Sequence, residues 1–384
     1  MPLSALRFTQ RRLPLSTPQT PNMQTIALIG VGLMGGSLGL AFKRLGIGGR
    51  IVGISRKETV DKALRLGALD EGVSYDQLPD VLRTADAAFL CTPIHRILEL
   101  LPKISKSAKQ GAIVTDVGST KAGIVALAER IFPSDVHFIG GHPMAGSESR
   151  GVQAADPFLF QNAIYVLTPS RGTPQEAVER LMNLVERLGA RVAVMDASAH
   201  DRIAAAVSHL PQMMAVALMG MVGKLSEENP LFLRMAAGGF RDMTRIASSP
   251  YEIWKDICRT NAGSIATAID AYIDGLKAVK TRISDEALGE DFRFANVTRG
   301  VIPRDSKGFL RPLYDVLVVV EDRPGMIAEI SVPLAEAEVN IKDIEVLKVR
   351  EDEGGTLRLA FGTEEEARMA VGILEGKGFK ARVR

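Results

Sequence analysis

The chain has 384 residues, 46% hydrophobic and 24% charged, with 47 Lys and Arg against 45 Asp and Glu. This length implies two or three domains, and the composition a soluble globular chain with substantial cores. A net charge of +2 gives no case for nucleic acid or an anionic membrane as the main partner, and no apolar run reads as long enough to span a bilayer. Cys91 and Cys258 lie too far apart for metal or redox spacing. They read as buried thiols in a reducing compartment, so the cytoplasm is the expected location and no metal site is expected. Residues 1–22 carry Arg7, Arg11 and Arg12 with several Ser, Thr and Pro and no acid. They read as a disordered tail or an early-assigned start, with a transit-like composition as the alternative.

Ile26-Ala-Leu-Ile29 reads as a buried strand, followed at once by Gly30-x-Gly32-x-x-Gly35 and an apolar helix pattern. Strand, glycine turn and helix in that order form a dinucleotide-binding fingerprint. Gly30 makes the turn, Gly32 admits the pyrophosphate, Gly35 lets the helix pack close, and Leu33 and Met34 open the helix beside the phosphates. Arg50–Ile54 is the second strand. Its end, Ser55-Arg56-Lys57, lacks the carboxylate that would hold a ribose 2′-OH. Arg56 can pair with a 2′-phosphate, so the reading leans to NADP and leaves NAD open.

Ala87–Cys91 and Ala112–Thr115 read as central parallel strands. Ligands in such sheets bind beyond the carboxyl ends of the strands, which places Thr92, Pro93, Ser119 and Lys121 beside the cofactor. Ser119 also suits the N-cap of the helix starting near Ala122. Val136–Ile139 is the next strand and runs into a glycine-rich loop, Gly140-Gly-His142-Pro-Met-Ala-Gly-Ser-Glu148. A histidine there is positioned for acid–base work near neutral pH. Ile164–Thr168 and Arg191–Met195, with a helix between them, complete the sheet, so residues 23–197 form a Rossmann domain.

From Ser198 strand signals stop. Ile203, Val207, Leu210, Met214 and Leu218 recur on one helical face, as do Ile253, Ile257, Ile265, Ile269 and Leu276 later. Residues 198–300 read as an all-helical substrate and dimerisation domain, its first long helix kinked at Pro211. Ser208-His209 interrupts the apolar face. Gly238-Gly-Phe-Arg241-Asp242-Met-Thr-Arg245, running to Ser249 with Trp254 beyond, reads as a loop built to meet an anion. Residues 301–312 are a linker. The order βαββαβ over 313–384, with a capping box at Thr363–Glu366, is a ferredoxin-like unit.

Together these motifs resemble the prephenate/arogenate dehydrogenases of tyrosine biosynthesis over about residues 24–300. The likeness rests on Gly30–Gly35, Asp116-Val-Gly-Ser119-Thr-Lys, Gly141–Glu148, Ser208-His209-Leu-Pro and Phe240–Ala247. The tail resembles an ACT module that binds amino acids, with Asp322, Pro324 and Gly325 in one signature and Asn340 and Ile341 in the other. The resemblance implies hydride transfer from the hydroxyl-bearing ring carbon of prephenate or arogenate to NAD or NADP, then loss of carbon dioxide. His142 would take the hydroxyl proton, and Ser119 would orient His142 and touch the nicotinamide. Arg245 would hold a substrate carboxylate and His209 the substrate's other end, while Glu148, Asp242, Ser249 and Trp254 would shape the pocket. It further implies a homodimer through the helical domain, with tyrosine as feedback effector. A related 3-hydroxyacid reductase would want a lysine on the first interdomain helix, and none precedes Lys224. A cofactor-binding amino-acid sensor would have no need to keep Ser119, His142, His209 and Arg245 together.

Overall fold

The structure is a computed structural model that describes residues 23–146, 149–302, 313–350 and 354–384. Residues 23–285 make one compact unit and 286–384 a second. The first begins with β1 (Thr25–Ile29), α1 (Leu33–Leu45), β2 (Arg50–Ile54), α2 (Lys57–Arg65), β3 (Glu71–Val73) and α3 (Leu78–Leu82). It continues with β4 (Ala87–Leu90), α4 (Ile94–Ser107), β5 (Ile113–Asp116), α5 (Ala122–Ile131), β6 (His137–Pro143), β7 (Ile164–Pro169), α6 (Gln175–Arg187) and β8 (Arg191–Val194). These strands form one sheet in the order β3-β2-β1-β4-β5-β6-β7-β8, the doubly wound Rossmann arrangement extended by two strands. Central strands are apolar on both faces because helices cover both, and two clusters of buried residues flank the sheet.

The pairing of β6 with β7 is antiparallel and sets His142 opposite Val166. The expected glycine loop after Ile139 is therefore strand, and His142 belongs to it. The two glycines are what let the strand pass. A Cβ on Gly140 would stand 2.3 Å from the Thr168 hydroxyl, and one on Gly141 2.4 Å from the Asp116 carbonyl. Glycine is used here for close approach rather than for a turn.

The helical part comprises α7 (Ala197–Ala204), α8 (Leu210–Glu228), α9 (Leu231–Arg234), α10 (Gly238–Thr244), α11 (Tyr251–Thr260) and α12 (Ala262–Thr281). The Asp196 carboxylate caps α7 by accepting from the N–H groups of Ser198 and Ala199. Between α7 and α8 the chain forms a π turn, Ala205–His209. This is the local answer to Pro211, which has no N–H and whose ring crowds the carbonyl four residues back; the helix widens there and runs on. As a result Ala197–Glu228 is one continuous helical stretch, long and apolar enough by composition to cross a membrane, which corrects the expectation that none exists. The apolar face expected on it is not buried within the chain. Ile203 and Val207 are exposed, and the buried positions are His200, Asp201, Ala204, Ala205, His209, Gln212 and Ala215. The Gly238-Gly239 segment begins helix α10 rather than a loop, and Arg245 starts a single 3₁₀ turn after it.

The second unit holds α13 (Leu288–Val301), β9 (Tyr314–Val320), α14 (Met326–Glu336), β10 (Asp343–Arg350), β11 (Gly354–Phe361), α15 (Glu364–Gly376) and β12 (Lys380–Val383). The sheet order β10-β11-β9-β12, antiparallel throughout, is the expected ferredoxin-like fold. The Thr363–Glu366 capping box is formed at the start of α15. Asn340 and Ile341 precede β10 rather than leading it, and Ile341 packs on the core.

Candidate active site

The glycine turn sits at the carboxyl end of β1. Gly30 has φ +89°, a conformation glycine adopts without strain. A Cβ on Gly35 would stand 2.1 Å from the Gly30 carbonyl, so α1 closes directly on the turn. Nothing lies within 4 Å of a Cβ built on Gly32, which leaves its face open for a pyrophosphate. A cleft of about 800 Å³ opens there and brings together Gly30, Gly32, Ser55, Arg56, Thr92 and Pro93. Leu33, Met34 and Gly35 form the first turn of α1 but are not among its walls. The Thr92 hydroxyl is buried without a hydrogen-bond partner among the described residues. An unpaired buried hydroxyl in this wall, the open Gly32 and a helix N-terminus fit a dinucleotide.

Around the ribose end the cleft adds residues that the sequence reading did not single out. Lys62, Tyr75, His95 and Arg96 line it together with Arg56, and Glu58 is the one carboxylate in its wall among the described residues. The Arg96 guanidinium lies over the Tyr75 ring, 5.5 Å from its centroid. Burial pushes the Tyr75 phenol above its ordinary value, opposed by Arg96 and by a hydrogen bond with Ser55. His95 also ties the cleft to the helical part. Its N–H donates to Asp256 Oδ2 at 2.9 Å, and its Nδ1 lies 2.6 Å from the same oxygen. Burial opposes ionisation of Asp256, but the His95 bonds prevail and lower its pKa. Cys91 lines the cleft instead of sitting deep in a core, and burial pushes its thiol up, away from the reactive thiolate.

His142 is 9% exposed at the end of β6. Its pKa is held well below the imidazole norm, first by burial and then by His200, Lys121 and His209. A neutral imidazole is the form that accepts a proton. Its hydrogen-bond partner is His200, with His142 Nδ1 2.8 Å from His200 Nε2. Asp201 follows on α7, its Oδ1 2.8 Å from His200 Nδ1. Asp201 also accepts the Lys121 N–H at 2.7 Å and the Ala122 N–H at 2.9 Å, so it caps α5 from another element. The N-cap role expected of Ser119 falls to Asp201, and Ser119 stands half-buried in the turn before it.

Lys121 does not face the cofactor. It is fully buried, ion-paired to Asp116, and donates to the Gly141 carbonyl at 2.8 Å. Burial lowers its pKa while Asp116 raises it. The pair holds the ends of β5 and β6 together directly beneath His142.

The network continues through Asn261, which donates to the Asp201 carbonyl at 2.7 Å and lies 3.3 Å from His209 Nδ1. His209 is buried, meets the edge of Trp254, and is pushed down to about 4, chiefly by burial. The structure thus gathers His142, His209 and Trp254 into one connected group. Asp242 and Arg245 lie on the exposed face of the 238–249 segment with Ser249 half-buried, and the Gln212 side chain fastens that segment through the Ile246 carbonyl at 3.0 Å. Glu148 lies outside the described residues. His200, Asp201 and Asn261 escaped the sequence reading of the site. The available signal was a His-Asp pair opening an otherwise apolar helix.

In the second unit, Asp322, Pro324 and Gly325 line a hollow of about 330 Å³ with Val346 and Leu357. Gly325 has φ +95° at the start of α14, and Arg323 beside it pairs bidentately with Glu329 at 2.7 and 2.8 Å.

A dinucleotide cleft, a buried neutral histidine at the carboxyl edge of the same sheet and a helical domain packed against both define a two-domain dehydrogenase of the Rossmann class. Family models for prephenate dehydrogenase match it twice, the nucleotide-binding domain over residues 38–194 and the dimerization domain over 196–295, and an ACT domain model matches 314–367. Prephenate dehydrogenase of Bacillus subtilis (strain 168) is 37% identical over 358 residues, 92% of this chain and 96% of that protein. The chain belongs to the prephenate dehydrogenase family.

Among solved structures, prephenate dehydrogenase from Aquifex aeolicus in complex with hydroxyphenyl propionate and NAD+ superposes with a TM-score of 0.67 at 32% identity, covering 73% of this chain and 98% of that one. Synechocystis arogenate dehydrogenase gives 0.63 at 34% identity, over 72% and 98%.

Proposed function

We propose that the chain oxidises and decarboxylates prephenate to 4-hydroxyphenylpyruvate. The observation that carries this is His142, a buried, neutral imidazole at the end of β6, in a chain similar over nearly its whole length to prephenate dehydrogenases. The nicotinamide of the bound cofactor supplies the hydride acceptor. Gly30, Gly32 and Thr92 hold its diphosphate and adjoining groups, and Ser119 faces the nicotinamide. His142 removes the proton of the ring hydroxyl as the carbonyl forms there, and Arg245 takes a substrate carboxylate. His209 and Trp254, with Asp242, Ser249 and Glu148, shape the remainder of the pocket. Arogenate is the second reading, supported by the likeness to the Synechocystis arogenate dehydrogenase.

For the cofactor we propose NADP over NAD. Arg56, Lys62 and Arg96 surround the ribose end of the cleft, and Ser55 leaves the end of β2 without a carboxylate. The helical domain pairs two copies of the chain, and tyrosine acts through the tail, where Asp322, Pro324 and Gly325 line a hollow whose walls do not include Asn340 or Ile341. One experiment tests these points: initial rates with prephenate and arogenate against NAD and NADP, with and without tyrosine, for the wild type and His142→Asn. Prephenate with NADP should give the highest kcat/KM, tyrosine should lower it, and His142→Asn should lose on the order of 10²-fold or more while still binding cofactor. Unchanged turnover by His142→Asn would remove His142 from the mechanism.

A further inference from the structure

Acting as the base requires one particular tautomer of His142, and the structure contains the means of choosing it. The choice starts at Asp201. Both its oxygens accept backbone N–H groups at the N-terminus of α5, from Lys121 at 2.7 Å and Ala122 at 2.9 Å. Such groups can only donate, so the side chain is arrayed as an acceptor, and a helix N-terminus favours negative charge. His200 Nδ1 lies 2.8 Å from the same Oδ1 that accepts from Lys121, and it must donate there. In a neutral ring this leaves His200 Nε2 with a lone pair. His142 Nδ1, 2.8 Å away, must donate to that lone pair, which leaves His142 Nε2 unprotonated.

We infer that His200 and Asp201 are positioning residues for the reaction: fastened to the N-terminus of α5, they fix His142 as the Nδ1–H tautomer and so keep its Nε2 ready to take the substrate's hydroxyl proton. The three side chains are 9%, 2% and 3% exposed, so water does not compete for these bonds. When Nε2 takes the proton, the imidazolium on His142 keeps its Nδ1–H bond to His200, and the Asp201 carboxylate lies one ring further on to offset the charge. That offset matters because burial, His200, Lys121 and His209 all disfavour a charged His142. The device also joins the two parts of the first unit. His142 and Lys121 come from the sheet domain, His200 and Asp201 from the first helix of the helical part.

This inference rests on the proposed role of His142, and the test separates the two. The chain has only five histidines. Long-range ¹H–¹⁵N spectra of the histidine-labelled full chain report each tautomer without any substrate. Wild-type His142 and His200 should both be Nδ1–H, and in His200→Ala His142 should populate both tautomers. With the substrate and cofactor that turn over fastest, His200→Ala should lose about 10²-fold in kcat with KM within about threefold, and cofactor affinity should hold. His200→Gln should recover at least about tenfold of that loss, because its carbonyl oxygen accepts the His142 Nδ1–H. An Nε2–H tautomer for His142 in the wild type would overturn the inference. So would a kcat for His200→Ala within about threefold of wild type, or equal losses in the Ala and Gln variants. If His200→Ala does not fold, the wild-type tautomer decides alone. A wild type silent on both substrates would strike at the proposed function and leave the tautomer measurement standing.

Discussion

His142 and His209 show what burying an imidazole among others costs. Burial disfavours the charged ring of both; His200, Lys121 and His209 add to it at His142, while at His209 burial outweighs the opposing Asp201 and pushes the ring down to about 4. In the unfolded chain the same groups titrate near 6.5. The unfolded state therefore binds more protons than the folded state between those values, and stability is full above about pH 6.5 and falls as pH drops toward 4. Calorimetric unfolding of the cofactor-free chain should show Tm declining through this window. His209→Asn removes one titrating group, so the dependence of stability on pH should flatten by up to about 1.4 kcal/mol per pH unit. A slope that His209→Asn leaves unchanged would mean that His209 is already neutral in both states or charged in both. The same depression keeps His142 unprotonated at neutral pH, the state a base must be in.

At the level of elements, the end of β6 decides where His142 stands. Gly140 and Gly141 pass within van der Waals contact of β5 and β7, with the buried Lys121–Asp116 pair against them. Gly141→Ala places a methyl 2.4 Å from a backbone carbonyl that belongs to β5 and cannot turn away. Such overpacking costs about 1–3 kcal/mol, and the strand must shift to relieve it. The variant should melt several degrees lower and lose at least about tenfold in kcat through displacement of His142, while cofactor affinity, set at β1, should change little. Equal losses in cofactor affinity and kcat would show that the strain spreads through the whole sheet. This segment also shows the limits of the sequence. Strands β1, β2, β4 and β5 were legible because parallel strands covered on both sides are uninterrupted apolar runs, and the glycine turn because its spacing has one job. Gly140-Gly141 looked like a loop because composition does not distinguish glycine that bends the chain from glycine that lets strands approach. The turn at Pro211 was legible as a disturbance but not as a π turn, since the chain had several ways to absorb it. Lys121 reads from the sequence as a neighbour of the cofactor, and its partner Asp116, five residues earlier, is reached only because the turn folds the side chain back inside. The His200–Asp201 pair could not be placed, because its meaning lies in α5, about eighty residues away in the chain.

Across the molecule, burial is unevenly distributed. The sheet domain covers its apolar residues, whereas the helical part leaves Val207, Val216, Met221, Met235, Ile253 and Leu276 about half exposed or more. Where such residues adjoin on one face they mark an interaction site. The stretch Ala197–Glu228 satisfies length and composition for a membrane span, yet it carries the buried His200 and Asp201 bonded to His142 and the start of α5, and the buried His209 against Asn261 and Trp254. A bilayer would have to strip those contacts away. The family model matching this region describes a dimerization domain. A second copy of the chain is therefore the expected cover. Sedimentation equilibrium at micromolar concentration should give twice the chain mass of 41.4 kDa. Met221→Glu, on an exposed turn of α8 away from the histidines, should weaken association by at least about tenfold, because a carboxylate then has to be desolvated in the contact. Its far-UV circular dichroism should match the wild type. A wild-type chain that sediments as a monomer at that concentration would leave the apolar face uncovered and refute the pairing.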